Sequence, residues 1–131
     1  MGFAYLRTVT VDHTQVGAGG VTNFAVPLIF SDASMKTVAH GGHVQNASGY
    51  DLVLFTDSTL VTKVNYSLIF YDGVNGVIGL YVEAAALSSA GYSTPFVLAY
   101  GNPAISTPQS PGNPFQASCV LAAPLAIRYL K

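Results

Sequence analysis

Two imidazoles three residues apart, His40 and His43 across Gly41-Gly42, form the first grouping in this sequence that could do chemistry, as ligands to zinc or copper. A stable site of that kind takes three or four ligands, and no cysteine or third histidine lies near in sequence, so the segment reads as a solvated turn. Asp72 and Asn75 resemble fragments of a calcium loop, yet the bidentate glutamate and the other acidic ligands are missing, and turn chemistry explains both. Asp12-His13 could be imagined beside a serine as parts of a triad, but no Gly-x-Ser-x-Gly elbow or other nucleophile context occurs. A glycosidase would need a carboxylate pair; Asp51, Asp57 and Glu83 fall at strand or turn positions where solvation or local hydrogen bonding is expected. Cys119, the single cysteine, sits beside Val120 and Leu121 and reads as a small buried hydrophobe. The sequence therefore predicts no catalytic residue, no metal site and no cofactor, and the chain is read as not an enzyme.

The surface has to be unusual. Half of the 131 residues are hydrophobic, 8% are charged, the net charge is −1 and the mean hydropathy is +0.43. A chain so poor in charge keeps its apolar area out of water either with a neutral polar coat of Ser, Thr, Asn, Gln and Gly or with partner subunits, and assembly is the sharper reading. The five basic residues, Arg7, Lys36, Lys63, Arg128 and Lys131, are scattered, which provides no cluster able to neutralise several phosphates, so nucleic acid is not an expected partner. No run of about 18 apolar residues exists to span a membrane. The opening Met-Gly-Phe-Ala-Tyr-Leu-Arg has neither a basic n-region nor a long apolar h-region, and no signal peptide is expected.

The elements that must position these residues read as strands. Apolar and β-branched runs of six to nine residues alternate with Gly, Pro, Asn and Ser clusters. Tyr5 to Asp12 places Tyr5, Arg7, Val9 and Val11 on one face and Leu6, Thr8 and Thr10 on the other. Asn23 to Phe30 carries Phe24, Val26, Leu28 and Phe30 at period two, and Pro27, which lacks an N–H, predicts an edge or a bulge. Ser34 to His40 predicts a short helix or an irregular crossover, and Tyr50 to Phe55 a strand. Lys63 to Tyr71 and Gly76 to Val82 predict a hairpin, because Asp72-Gly73-Val74-Asn75-Gly76 holds residues that accept positive φ. Further strands are predicted at Thr94 to Tyr100 and Ser118 to Leu130. Between them Pro108, Pro111 and Pro114 disfavour regular structure and predict an extended arm. The fold expected is an all-β antiparallel sandwich, jelly-roll-like, of about 7–9 strands with a Pro-rich C-terminal arm. It divides into a sandwich over residues 1–105 and an arm with a C-terminal strand over 106–131, packed on the same domain or on a neighbouring subunit.

Tyr5-Leu6-Arg7-Thr8-Val9-Thr10-Val11-Asp12-His13-Thr14, Thr22-Asn23-Phe24-Ala25-Val26-Pro27-Leu28, Val44-Gln45-Asn46-Ala47-Ser48-Gly49-Tyr50-Asp51-Leu52 and Ala99-Tyr100-Gly101-Asn102 resemble, in order and spacing, the DUF2341 domain family. The motifs cover about the first 105 residues, and the resemblance looks closest to versions in bacteriophage structural proteins. Two departures stand out. Ser67 and Ile69 occupy positions where the family carries acidic residues, and Tyr81-Val82-Glu83-Ala84-Ala85-Ala86-Leu87 replaces a Trp and a Pro-x-Leu turn. Both trade polar or large groups for smaller apolar ones, which a surface shaped for packing and a repacked monomer core explain equally simply.

The resemblance implies a virion structural protein, a capsid decoration or tail-associated subunit made in the host cytoplasm. Its expected partners are the major capsid or tail protein and copies of itself, with interface residues at Tyr81, Pro108, Pro111, Pro114, Phe115 and Tyr129. The alternative is a glycan-binding adhesion module, because eight tyrosines and seven phenylalanines can stack on sugar rings. Tyr5, Tyr50, Tyr66, Tyr71, Tyr81 and Tyr100 are expected in strands. The sequons at Asn46-Ala47-Ser48 and Asn65-Tyr66-Ser67 are taken as chance.

Overall fold

The computed structural model describes residues 2–11, 21–87, 93–112, 114, 120–121 and 129–130. Six strands carry the fold: β1 (Tyr5–Val11), β2 (Val21–Ser31), β3 (Val53–Phe55), β4 (Tyr66–Asp72), β5 (Val77–Leu87) and β6 (Ser93–Tyr100). One sheet runs β3-β6-β1 and the other β4-β5-β2, and every pairing among the six is antiparallel. The architecture is all-β and sandwich-like, with no α-helix among the described residues.

Among the described residues the expected count of 7–9 strands is corrected to six. The C-terminal segment accounts for the difference. Ser118 to Leu130 supplies, among the described residues, only the two-residue pieces Val120–Leu121 and Tyr129–Leu130, which add to the edges at β2 and β1. Tyr50 to Leu52, expected to open a strand, is a turn, because the Asp51 carboxylate draws backbone N–H groups to itself and only Val53–Phe55 stays extended. Tyr50 is accordingly not a strand residue. The Ser34 to His40 segment forms two 3-10 turns, Ala33–Met35 and Val38–His40, the first capped by the Asp32 side chain.

Pairing is nested. β1 pairs with β6 and β2 with β5, first with last and second with second-last, and the β4–β5 hairpin closes the innermost level. Its turn lies where the sequence puts it: the Asp72 carboxylate accepts from the N–H groups of Val74 and Asn75 and from the Asn75 side chain, and Gly76 holds φ at +73°. The inner faces follow period two. Val26, Leu28, Ile78, Leu80 and Val82 meet Val9, Leu54, Phe96 and Leu98 in one buried core. Pro27 is tolerated because the piece Val120–Leu121 pairs with β2 only at Phe24 and Ala25, leaving that side of β2 an edge from Pro27 onward among the described residues.

Candidate functional site

Two of the segments singled out by the sequence, 44–52 and 99–102, meet at the turn after β6. Asp51 is fully buried, and its carboxylate accepts the N–H groups of Gln45 at 2.9 Å, Asn46 at 2.9 Å and Gly101 at 3.1 Å. Three backbone donors satisfy a charge that would otherwise be costly to bury. Asn46 works one layer outward, its Oδ1 accepting from Ser48 and Tyr50. Together the two side chains shape the 44–51 loop and join it to the turn after β6. Asn46 and Asn65 are both engaged, the latter donating to Glu83 Oε1 at 2.9 Å, so each sequon asparagine has a structural use.

The charged groups are spent on structure as well. Arg7 comes from the core-facing side of β1, donates to Asp32 Oδ2 at 3.0 Å and lies over the Phe30 ring. The Asp32 carboxylate also takes the Ser34 hydroxyl and N–H, and these hydrogen bonds, ahead of the nearby guanidinium, hold its pKa down at about 2. His40 and His43 point to different partners. His40 Nδ1 meets the Thr37 hydroxyl at 2.8 Å, whereas the His43 ring stacks on Tyr5 at 4.0 Å, with Tyr100 on the same tyrosine at 5.5 Å. Asp57 caps its own turn through Thr59. Among the described residues no three His, Cys, Asp or Glu side chains gather as a metal site, and no helix is long and apolar enough to cross a membrane. Asp12-His13 and Cys119 lie outside the described residues.

The residues expected at an interface fall in three places. Tyr81 lies half-buried on the outer face of the β4-β5-β2 sheet, in a cross-strand row with Ser67 and Pro27. The next row is Phe70, Gly79 and Ile29, where Phe70 is 43% and Ile29 58% exposed. Gly79 has no side chain because the Phe70 ring lies on it: a Cβ there would come within 2.4 Å of Phe70 Cε1. Glu83 is the one charged residue in these rows and the Ala25 row beside them. Its Oε2 is buried with no hydrogen-bond partner among the described residues.

Pro108 and Pro111 are exposed and Pro114 is buried. The stretch between them lies on its own domain. Lys63 Nζ donates to Gln109 Oε1 at 2.9 Å, Ser110 Oγ accepts from the Tyr66 N–H at 2.9 Å, and the Gln109 N–H bonds to the Tyr66 hydroxyl. Phe115 lies outside the described residues, and Tyr129 stands in the piece paired with β1. Sequence reasoning had no access to Asp51 as a clamp, to the Arg7–Asp32 pair or to Ile29 and Phe70 as neighbours. The only available signal was that Phe70 and Ile29 sit at outward positions of apolar strands. Comparison of the chain with protein-family models, with curated proteins and with solved structures finds no match.

Proposed function

We propose that this protein is a non-enzymatic structural subunit of a phage particle, a capsid decoration or tail-associated protein that works by packing against other virion proteins and copies of itself. The observation that carries this reading is the outer face of the β4-β5-β2 sheet. There Phe70 and Ile29 stand exposed across Gly79, with Tyr81 and Pro27 in the adjoining row; the charged side chains at outward positions of the described strands are Glu83 and, at the hairpin end, Asp72. Apolar area held on a sheet face is worth covering at roughly 25 cal/mol per Å², and a chain with so few charges has little else to present.

Two further observations support it. The nested pairing of β1 with β6 and β2 with β5 is the connectivity expected of a jelly-roll-like sandwich, an architecture common in capsid subunits. Two of the segments that resemble the DUF2341 family, 44–52 and 99–102, form one unit through Asp51 and Gly101, as parts of a shared motif would. The Pro-rich arm belongs to the same reading: exposed Pro108 and Pro111 extend the contact surface beyond the sandwich. The particle itself is the proposed location, after synthesis in the host cytoplasm.

Size-exclusion chromatography with light scattering, followed by cosedimentation with empty capsids and with tails, tests the proposal. Self-association or particle binding that Ile29→Asp abolishes is the expected result. A wild-type chain that stays monomeric and sediments with neither particle overturns it.

A further inference from the structure

Beside the edge strand β4 a cleft of about 350 Å³ opens between the 48–52 segment and the arm at 108–110. We propose that this cleft binds a neutral saccharide, one to two pyranose rings deep, independently of the packing face.

The lining decides the ligand class. Tyr50, Tyr66, Phe70 and Tyr71 supply aromatic surface, Leu52 and Leu68 form an apolar floor, and no lining side chain carries a formal charge. A phosphate, sulfate or carboxylate ligand would enter with its charge unpaired, which costs several kcal/mol. A purely apolar ligand would leave the polar rim without exchange partners. A sugar ring matches both demands, with C–H faces for the aromatic rings and hydroxyls for the rim.

The rim has hydroxyls with no partner among the described residues. Ser48 Oγ and the Tyr50 hydroxyl make no hydrogen bond to a described residue, although the backbone N–H groups of both are anchored on Asn46. The other hydroxyls in the cleft are engaged: Tyr71 donates to the Met35 carbonyl at 2.6 Å, and Ser110 donates to the Gly112 carbonyl at 2.7 Å. Both walls are held in place before any ligand arrives. Asp51 and Asn46 hold one, and Tyr66 and Lys63 hold the other through Ser110 and Gln109. A prebuilt cleft loses little ordering entropy on binding. Gly49 lets the loop approach this closely: its φ is +77°, and a Cβ there would come within 2.9 Å of the Tyr71 ring.

Phe70 and Pro108 are shared with the packing surface, so Tyr50 and Ile29, which are not shared, separate the two proposals. The test is titration of the full chain with maltotriose, cellotriose, chitotriose and mannotriose, and with a sialylated and a sulfated trisaccharide of similar size, followed by amide chemical shifts. Saturable binding of at least one neutral sugar is expected, with Kd on the order of 0.1–1 mM. Tyr50→Ala should weaken it roughly tenfold, Ser48→Ala should weaken it less, and Ile29→Asp should leave it unchanged while removing assembly. Circular dichroism confirms that the variants are folded. The inference is overturned if no neutral sugar shifts the spectrum, if only the charged sugars bind, or if folded Tyr50→Ala binds as the wild type does.

Discussion

The Asp51 carboxylate accepts the Gly101 N–H at 3.1 Å across fifty residues of sequence, and with the same two oxygens it holds the N–H groups of Gln45 and Asn46. One buried side chain thereby fixes the loop that forms a wall of the cleft and the turn that follows the last long strand.

Asp51→Asn is therefore a sharp test. An amide presents one oxygen where the carboxylate presents two, so at least one buried N–H loses its acceptor. A loss of about 3 kcal/mol is expected in denaturant unfolding. The 44–51 amides should also exchange faster. A loss within error of zero would show that the loop stands without its clamp.

Acid should loosen the β1 end at a defined pH. Asp32 has a folded pKa of about 2, below its ordinary value of 3.8, so its contribution is fully present above about pH 4 and is lost as pH falls toward 2. The pair is partly solvated and its worth is about 1 kcal/mol. Ser34→Ala removes the largest cause of the shift and should flatten the pH dependence of stability between pH 5 and 2. An unchanged slope would place the acid sensitivity elsewhere.

Alkali should act through the buried phenols of β4. Burial pushes the Tyr66 and Tyr71 phenols well above the ordinary tyrosine range, and for Tyr71 the charges of Asp51 and Asp72 add to it. A raised folded pKa leaves stability intact below about pH 10 and removes it as pH rises further. In an ultraviolet titration these two phenols should ionise together with unfolding and after the exposed tyrosines. Tyr66→Phe should remove one of the late phenols and cost about 1 kcal/mol, because the Gln109 N–H loses its acceptor.

Gly76→Ala should break the hairpin turn. The residue sits at φ +73°, and a Cβ would come within 2.3 Å of the Asp32 carbonyl oxygen, a backbone atom that cannot swing aside. A loss of about 2–3 kcal/mol is expected by thermal or denaturant unfolding.

Deleting residues 108–131 should abolish assembly or folding, since Gln109 and Ser110 cover Tyr66 and satisfy its backbone N–H. A truncated chain that folds and assembles normally would show the arm to be dispensable.

Several features were legible in the residues alone. Period-two runs such as Phe24 to Phe30 declared strands with one apolar face, Asp72 to Gly76 declared a hairpin, and Pro27 declared an edge. These are local rules, satisfied within a few residues of chain by backbone geometry and turn chemistry. The sparse charge also predicted apolar side chains left at the surface, as Phe70 and Ile29 are. What only the tertiary structure decided depends on distant partners. Tyr50 reads as a strand residue until Asp51, satisfied in part by Gly101, bends the chain into a turn. Arg7 reads as one scattered cation until Asp32 arrives from twenty-five residues away. The exposed Phe70–Gly79–Ile29 row and the aromatic cleft exist because nested pairing sets three strands and a returning arm side by side. Such pairings are selected by the burial of the whole core, which no single segment specifies.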